Sequence, residues 1–104
     1  MEDLNDKNFE EFIKKHKIAI IDFYADWCGP CQAMKPVFEK VMPEFAGKVT
    51  LEKVNVDVDQ AKAQTFGVMS IPTMVIVKDG KEVDRKIGML AEPAFKQWLA
   101  GHTL

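Results

Sequence analysis

Cysteine is scarce in this chain, two among 104 residues. That scarcity excludes a fold stapled by disulfides, because small secreted domains of that kind carry several bridges. Histidine is as scarce, also two, and neither His16 nor His102 stands at ligand spacing from the cysteines. A tetrahedral zinc site needs about four ligands, so no metal is expected, and no cofactor either. An excess of one charge is missing too: 14 lysines and arginines face 16 aspartates and glutamates, for a net −2. With no basic stripe and no interleaving of bases with aromatics, nucleic acid is not an expected partner. Apolar runs such as 18–21 and 74–77 fall far short of the roughly 20 residues that cross a bilayer. No basic-then-apolar leader opens the chain, which begins Met1-Glu2-Asp3, so the expectation is a cytoplasmic protein that meets no membrane. Linkers, repeats and low-complexity tracts are also lacking, and residues 1–104 read as a single domain, expected to be a monomer.

What remains is an ordinary globular composition, 47% hydrophobic and 29% charged, with clear punctuation. Asn5 or Asp6 can cap a first helix running to about His16, with Phe9, Phe12 and Ile13 on one face. Residues 18–25 form a near-continuous apolar run, the pattern of a strand buried on both faces. A long helix is expected from about Pro30 towards Ala46, ended by Gly47, with a kink or stop at Pro36 and Pro43. Residues 49–56 predict a second strand, and Asp57 or Asp59 caps a short helix to about Phe66. Residues 73–78 and 81–87 read as a hairpin across Asp79-Gly80. Pro93 opens a last helix, with Phe95, Trp98 and Leu99 on its apolar face and Gly101 at its expected end. Strand-helix-strand followed by a hairpin implies a mixed sheet between two helical layers, an α/β sandwich.

The two cysteines stand in Trp27-Cys28-Gly29-Pro30-Cys31, at the junction of a predicted strand and a predicted helix. A bridge spanning three residues closes almost no loop and stabilises little, so the pair is chemical rather than structural. Free N–H groups and the helix dipole favour negative charge at Cys28, and the thiolate is the attacking species. Cys31, one turn later, is placed to resolve a mixed disulfide formed on Cys28. Gly29 lets a partner's backbone come close, and Pro30 stiffens the first turn. Asp22 is the odd residue of its strand, a carboxylate among Ile20, Ile21, Phe23 and Tyr24. Burial there should raise its pKa and let it exchange a proton with Cys31.

The segment 22–31, Asp-Phe-Tyr-Ala-Asp-Trp-Cys-Gly-Pro-Cys, resembles the active-site segment of the thioredoxin family. The resemblance continues through Pro36, Ile71-Pro72-Thr73, the Lys78-Asp79-Gly80 turn and Gly88, and it covers nearly the whole chain in order. It implies a thioredoxin fold, a three-layer α/β/α sandwich on a mixed sheet of four to five strands. It implies protein-disulfide reductase activity on disulfide-containing protein substrates, with electrons returned by a separate thioredoxin reductase. It also implies that Lys53 partners Asp22, and that Ile71-Pro72 is a cis-proline loop facing the dithiol. Trp27, Gly29, Pro30, Ile71, Pro72 and Gly88 would then form a docking patch where Ile71 pairs with an extended substrate segment.

This chain departs from the family pattern in several places. Residues 1–4 leave little length for the extra first strand, Gln32 stands where a lysine is common, and Tyr24 replaces a frequent tryptophan. Met69 and Ser70 change the loop before Pro72. Met34, Met69, Met74 and Met89 are expected to fill gaps in the core. Residues 14–17 read as a solvated helix end. Two other functions use the same features: a disulfide oxidant or isomerase, or a binding module whose cysteines are dispensable.

Overall fold

The computed structural model describes residues 8–104. The proposed caps Asn5 and Asp6, and the segment 1–4 where a further strand was in question, lie outside the described residues. Helix α1 covers Phe9–Lys15 and strand β1 Ile18–Tyr24. Helix α2 spans Gly29–Val41 and continues as a 3-10 turn over Met42–Phe45. Strand β2 is Thr50–Asn55, helix α3 Gln60–Thr65, β3 Thr73–Lys78, β4 Lys81–Ile87 and helix α4 Glu92–His102.

The strands lie in the order β2-β1-β3-β4. Strand β1 runs parallel to β2, as a strand-helix-strand crossover requires, and antiparallel to β3. Its interior position explains the unbroken apolar run: Ala19, Ile21 and Phe23 face one way, Ile18, Ile20 and Asp22 the other. The first set packs with Phe9, Phe12 and Ile13 of α1 and Ala63 of α3. Ile20 packs with Met34, Phe38 and Val41 of α2 and with Phe95, Trp98 and Leu99 of α4. Helices therefore cover both faces of a mixed sheet, the expected sandwich. None is long and apolar enough to cross a membrane among the described residues.

The β3–β4 hairpin closes with Asp79 at φ 52° and Gly80 at φ 84°, the paired left-handed backbone that a two-residue turn demands. Pro36 sits inside α2 without stopping it. Its exposed position leaves the carbonyl it orphans on the watered side, while Met34, Phe38 and Val41 hold the buried side. Pro43 does change the helix, falling where the α-helical winding tightens to 3-10. Gly101 does not end α4, which includes it and reaches His102. Side-chain bonding of His102 to Asp84 on β4, at 2.8 Å, holds that last turn.

Two of the four methionines assigned to the core are found there, Met34 and Met74. Met69 and Met89 are exposed instead. Met69 follows Gly67, whose φ of 64° turns the chain outward after α3. Lys14, Lys15 and Lys17 are exposed as expected, whereas His16 is half-buried, its ring against Phe12 and its Nδ1 3.3 Å from Thr50 Oγ1.

Candidate functional site

Strand β1 ends at Tyr24, and four residues later Cys28 occupies the N-cap of α2. Cys28 Sγ there accepts the backbone N–H of Cys31 at 3.2 Å, one of the donors a helix start leaves without an intrahelical partner. Pro30 stands in the first turn, where its missing N–H costs nothing. Cys28 and Cys31 are joined as a disulfide, their Cα atoms 5.2 Å apart. Both cysteines are almost wholly covered, so exposure does not tell them apart. Position does: Cys28 forms part of the wall of an open cleft of about 540 Å³, and Cys31 does not.

That cleft brings together five of the residues read from the sequence, Trp27, Cys28, Gly29, Pro30 and Ile71. The carbonyl oxygen of Ile71 lies 3.8 Å from Cys28 Sγ, and the Ile71-Pro72 peptide is cis. Pro72 and Gly88 stand behind this wall, joined by a bond from Gly88 N–H to the Pro72 carbonyl at 2.8 Å. Gly88 has φ 89°, a left-handed conformation that a side chain would strain. An added Cβ there would otherwise meet nothing, so backbone conformation alone accounts for the glycine.

Asp22 and Lys53 occupy a different level. Asp22 is 2% exposed and points to the sheet face that α2 covers. Lys53 is its register partner across β1 and β2, which puts both side chains on one face. The Lys53 ammonium lies 5.3 Å from the centre of the Tyr24 ring. Lys53 walls a second cleft, of about 710 Å³, between α2 and β2, and neither residue reaches the first one.

The structure adds residues that the sequence reading passed over. Trp27 is 73% exposed, and its indole N–H donates to Asp57 Oδ2 at 2.8 Å. Asp57 is itself fixed just beyond β2, where its N–H donates to Asn55 Oδ1 at 2.9 Å. Asp59, the other candidate, takes the N-cap of α3 without a side-chain bond to it. Val56, Ala63, Val68, Met69 and Ser70 complete the cleft. Met69 and Ser70 were marked only as a change in the loop before Pro72, and nearness in the fold alone marks Val56 just beyond β2, Ala63 in α3 and Val68 after it.

A family model described as Thioredoxin matches residues 1–101. The chain is 42% identical to a thioredoxin of Haemophilus influenzae over 100 residues, which cover 95% of this chain and 94% of that protein. It is 47% identical to a thioredoxin of Chlamydia caviae over 83 residues, 80% of this chain and 79% of the relative. Among solved structures, a mutant thioredoxin from Halobacterium salinarum NRC-1 superimposes with a TM-score of 0.87 at 32% identity. That match covers 98% of this chain and 88% of the other.

Proposed function

Because this chain belongs to the thioredoxin family, we propose a division of labour within its protein-disulfide reductase chemistry, in which Cys28 attacks and Cys31 resolves. One observation supports this order above all: of the two sulfurs, the one at the helix N-cap is also the one that walls the open cleft. The N–H of Cys31 directed at Cys28 Sγ, together with the helix dipole, favours thiolate over thiol in the reduced protein.

The exchange balances in two displacements. Cys28 thiolate attacks one sulfur of the substrate disulfide, forming a mixed disulfide and releasing one substrate thiolate. Cys31, as thiolate, then attacks Cys28 Sγ, closing the bridge seen here and releasing the second. Two electrons pass to the substrate, which takes up two protons to leave as a dithiol. Asp22, buried on the α2 side of the sheet, accepts the Cys31 proton in this reading, and Lys53 tunes that carboxylate from the neighbouring strand. Trp27, Gly29, Pro30 and Ile71 receive the substrate, with Pro72 and Gly88 setting the backbone behind Ile71.

Electrons return from a thioredoxin reductase, and residues 1–104 act as one monomeric domain in the cytoplasm, where thiols are kept reduced. Turnover of a disulfide-bonded protein with dithiothreitol as donor tests the assignment. Cys28→Ser should abolish it, and Cys31→Ser should accumulate the mixed disulfide on Cys28. Accumulation of the mixed disulfide on Cys31 in Cys28→Ser, with none trapped on Cys28 in Cys31→Ser, would reverse the order.

A further inference from the structure

The cleft beside Cys28 has an unusual wall: not one of its ten residues carries a charge. Its most prominent member is Met69, 96% exposed and two residues before Ile71, whose carbonyl faces Cys28 Sγ. A methionine held out in water gains nothing from packing within its own chain. Its thioether is flexible and polarisable, suited to irregular apolar groups. The formal charge bonded to this wall is negative, Asp57 on the Trp27 indole at 2.8 Å. Among the described residues, Lys62 of α3 is engaged with Glu10 at 3.2 Å and Arg85 of β4 with Glu82 at 2.6 Å. Lys35 and Lys53 wall the second cleft.

We propose that Met69 sets substrate preference, selecting protein segments with a large apolar side chain beside the attacked half-cystine and disfavouring acidic ones. This rests on the reductase reading above. An apolar side chain placed there is covered by Met69 and Trp27 and leaves water. An acidic one loses hydration, finds no charged residue in the wall to pair with and lies near the Asp57 carboxylate. A basic side chain falls between the two, since Asp57 attracts it but no residue of the wall carries a carboxylate.

Three peptides carrying the same intramolecular disulfide, flanked by Phe, Lys or Glu, test this against the pre-reduced protein at low salt. The expected order of second-order rate constants is Phe, then Lys, then Glu, with Phe about fivefold or more ahead of Glu. Met69→Ala should narrow that ratio. Met69→Lys should raise the Glu peptide about threefold relative to the Phe peptide, a gain lost in high salt. Equal ratios in the parent and both variants would overturn the role of Met69, as would a faster Glu peptide in the parent. Reduction of none of the peptides would overturn the reductase reading and this inference together.

Discussion

Trp27 donates its indole N–H to Asp57 at 2.8 Å, and Trp98 donates to Asp84 at the same distance. The two rings could hardly be placed more differently. Trp27 is 73% exposed, Trp98 9%. At the mouth of the site, the bond holds a large apolar surface out in water by a polar handle. At the outer edge of the sheet, the same bond satisfies an indole N–H whose ring is sunk among Phe95 and the core beneath α4. Asp84 Oδ2 also meets His102 Nε2 at 2.8 Å, so α4 is tied to β4 through two of its side chains. One pair holds its ring open to solvent, the other seals its ring into the core.

Removing each ring should split these roles most sharply. Trp98→Ala empties a buried aromatic site and should cost about 3–5 kcal/mol, measured by urea unfolding, with disulfide reduction per folded molecule unchanged. Trp27→Ala should cost little stability, under about 1 kcal/mol, yet lower kcat/KM for protein disulfides. Equal stability losses would erase the distinction.

Asp22 extends the comparison to a carboxylate almost without water, 2% exposed. Burying charge is costly, and an amide of the same shape removes most of that cost. Asp22→Asn should therefore stabilise the fold at neutral pH by roughly 1–3 kcal/mol, while slowing resolution of the mixed disulfide. A variant less stable than the parent, or equally fast, would remove Asp22 from the mechanism.

Asp84 behaves in the opposite sense. Its carboxyl is held below the ordinary 3.8, first by the Trp98 indole, then by His102, with the Arg85 N–H adding to them and partial burial opposing. A depressed folded value means stability that is present above the unfolded pKa and lost as pH falls through the lower folded one. More than a third of the side chain is in water, so Asp84→Asn should cost only about 1 kcal/mol at neutral pH. That gap should close in acid, below the ordinary carboxyl range. A gap that widened there would mean the bonds to Trp98 and His102 do not favour the ionised form.

Which of these features were legible beforehand follows from how local they are. The apolar run of β1, the Asp79-Gly80 hairpin and the dithiol at the start of α2 each depend on neighbours in sequence, and each formed where expected. Gly101 misled because the force extending α4 past it is a bond from His102 to a strand 18 residues away. Met69 misled because hydrophobicity argues for burial, whereas the turn at Gly67 carries the loop outward. The pairing of Asp22 with Lys53 across two strands was suggested by family resemblance alone; Lys53 by itself looks like a surface lysine.

Asp57 was the hardest to see, since the indole it accepts lies 30 residues earlier, and its smallest effect is the most discriminating. Asp57→Ala leaves the Trp27 ring in place but without its anchor. Both groups are exposed, so stability should change by no more than about 0.5 kcal/mol. A freed ring must be ordered again each time a substrate binds, which costs on the order of 0.5–1.5 kcal/mol and predicts about a threefold loss in kcat/KM with kcat nearly intact. Trp27 fluorescence anisotropy in the variant should fall at the same time. A loss confined to kcat would instead mean that the Asp57 charge acts on the dithiol itself, and the mouth of the site would then be electrostatic rather than a shaped apolar wall.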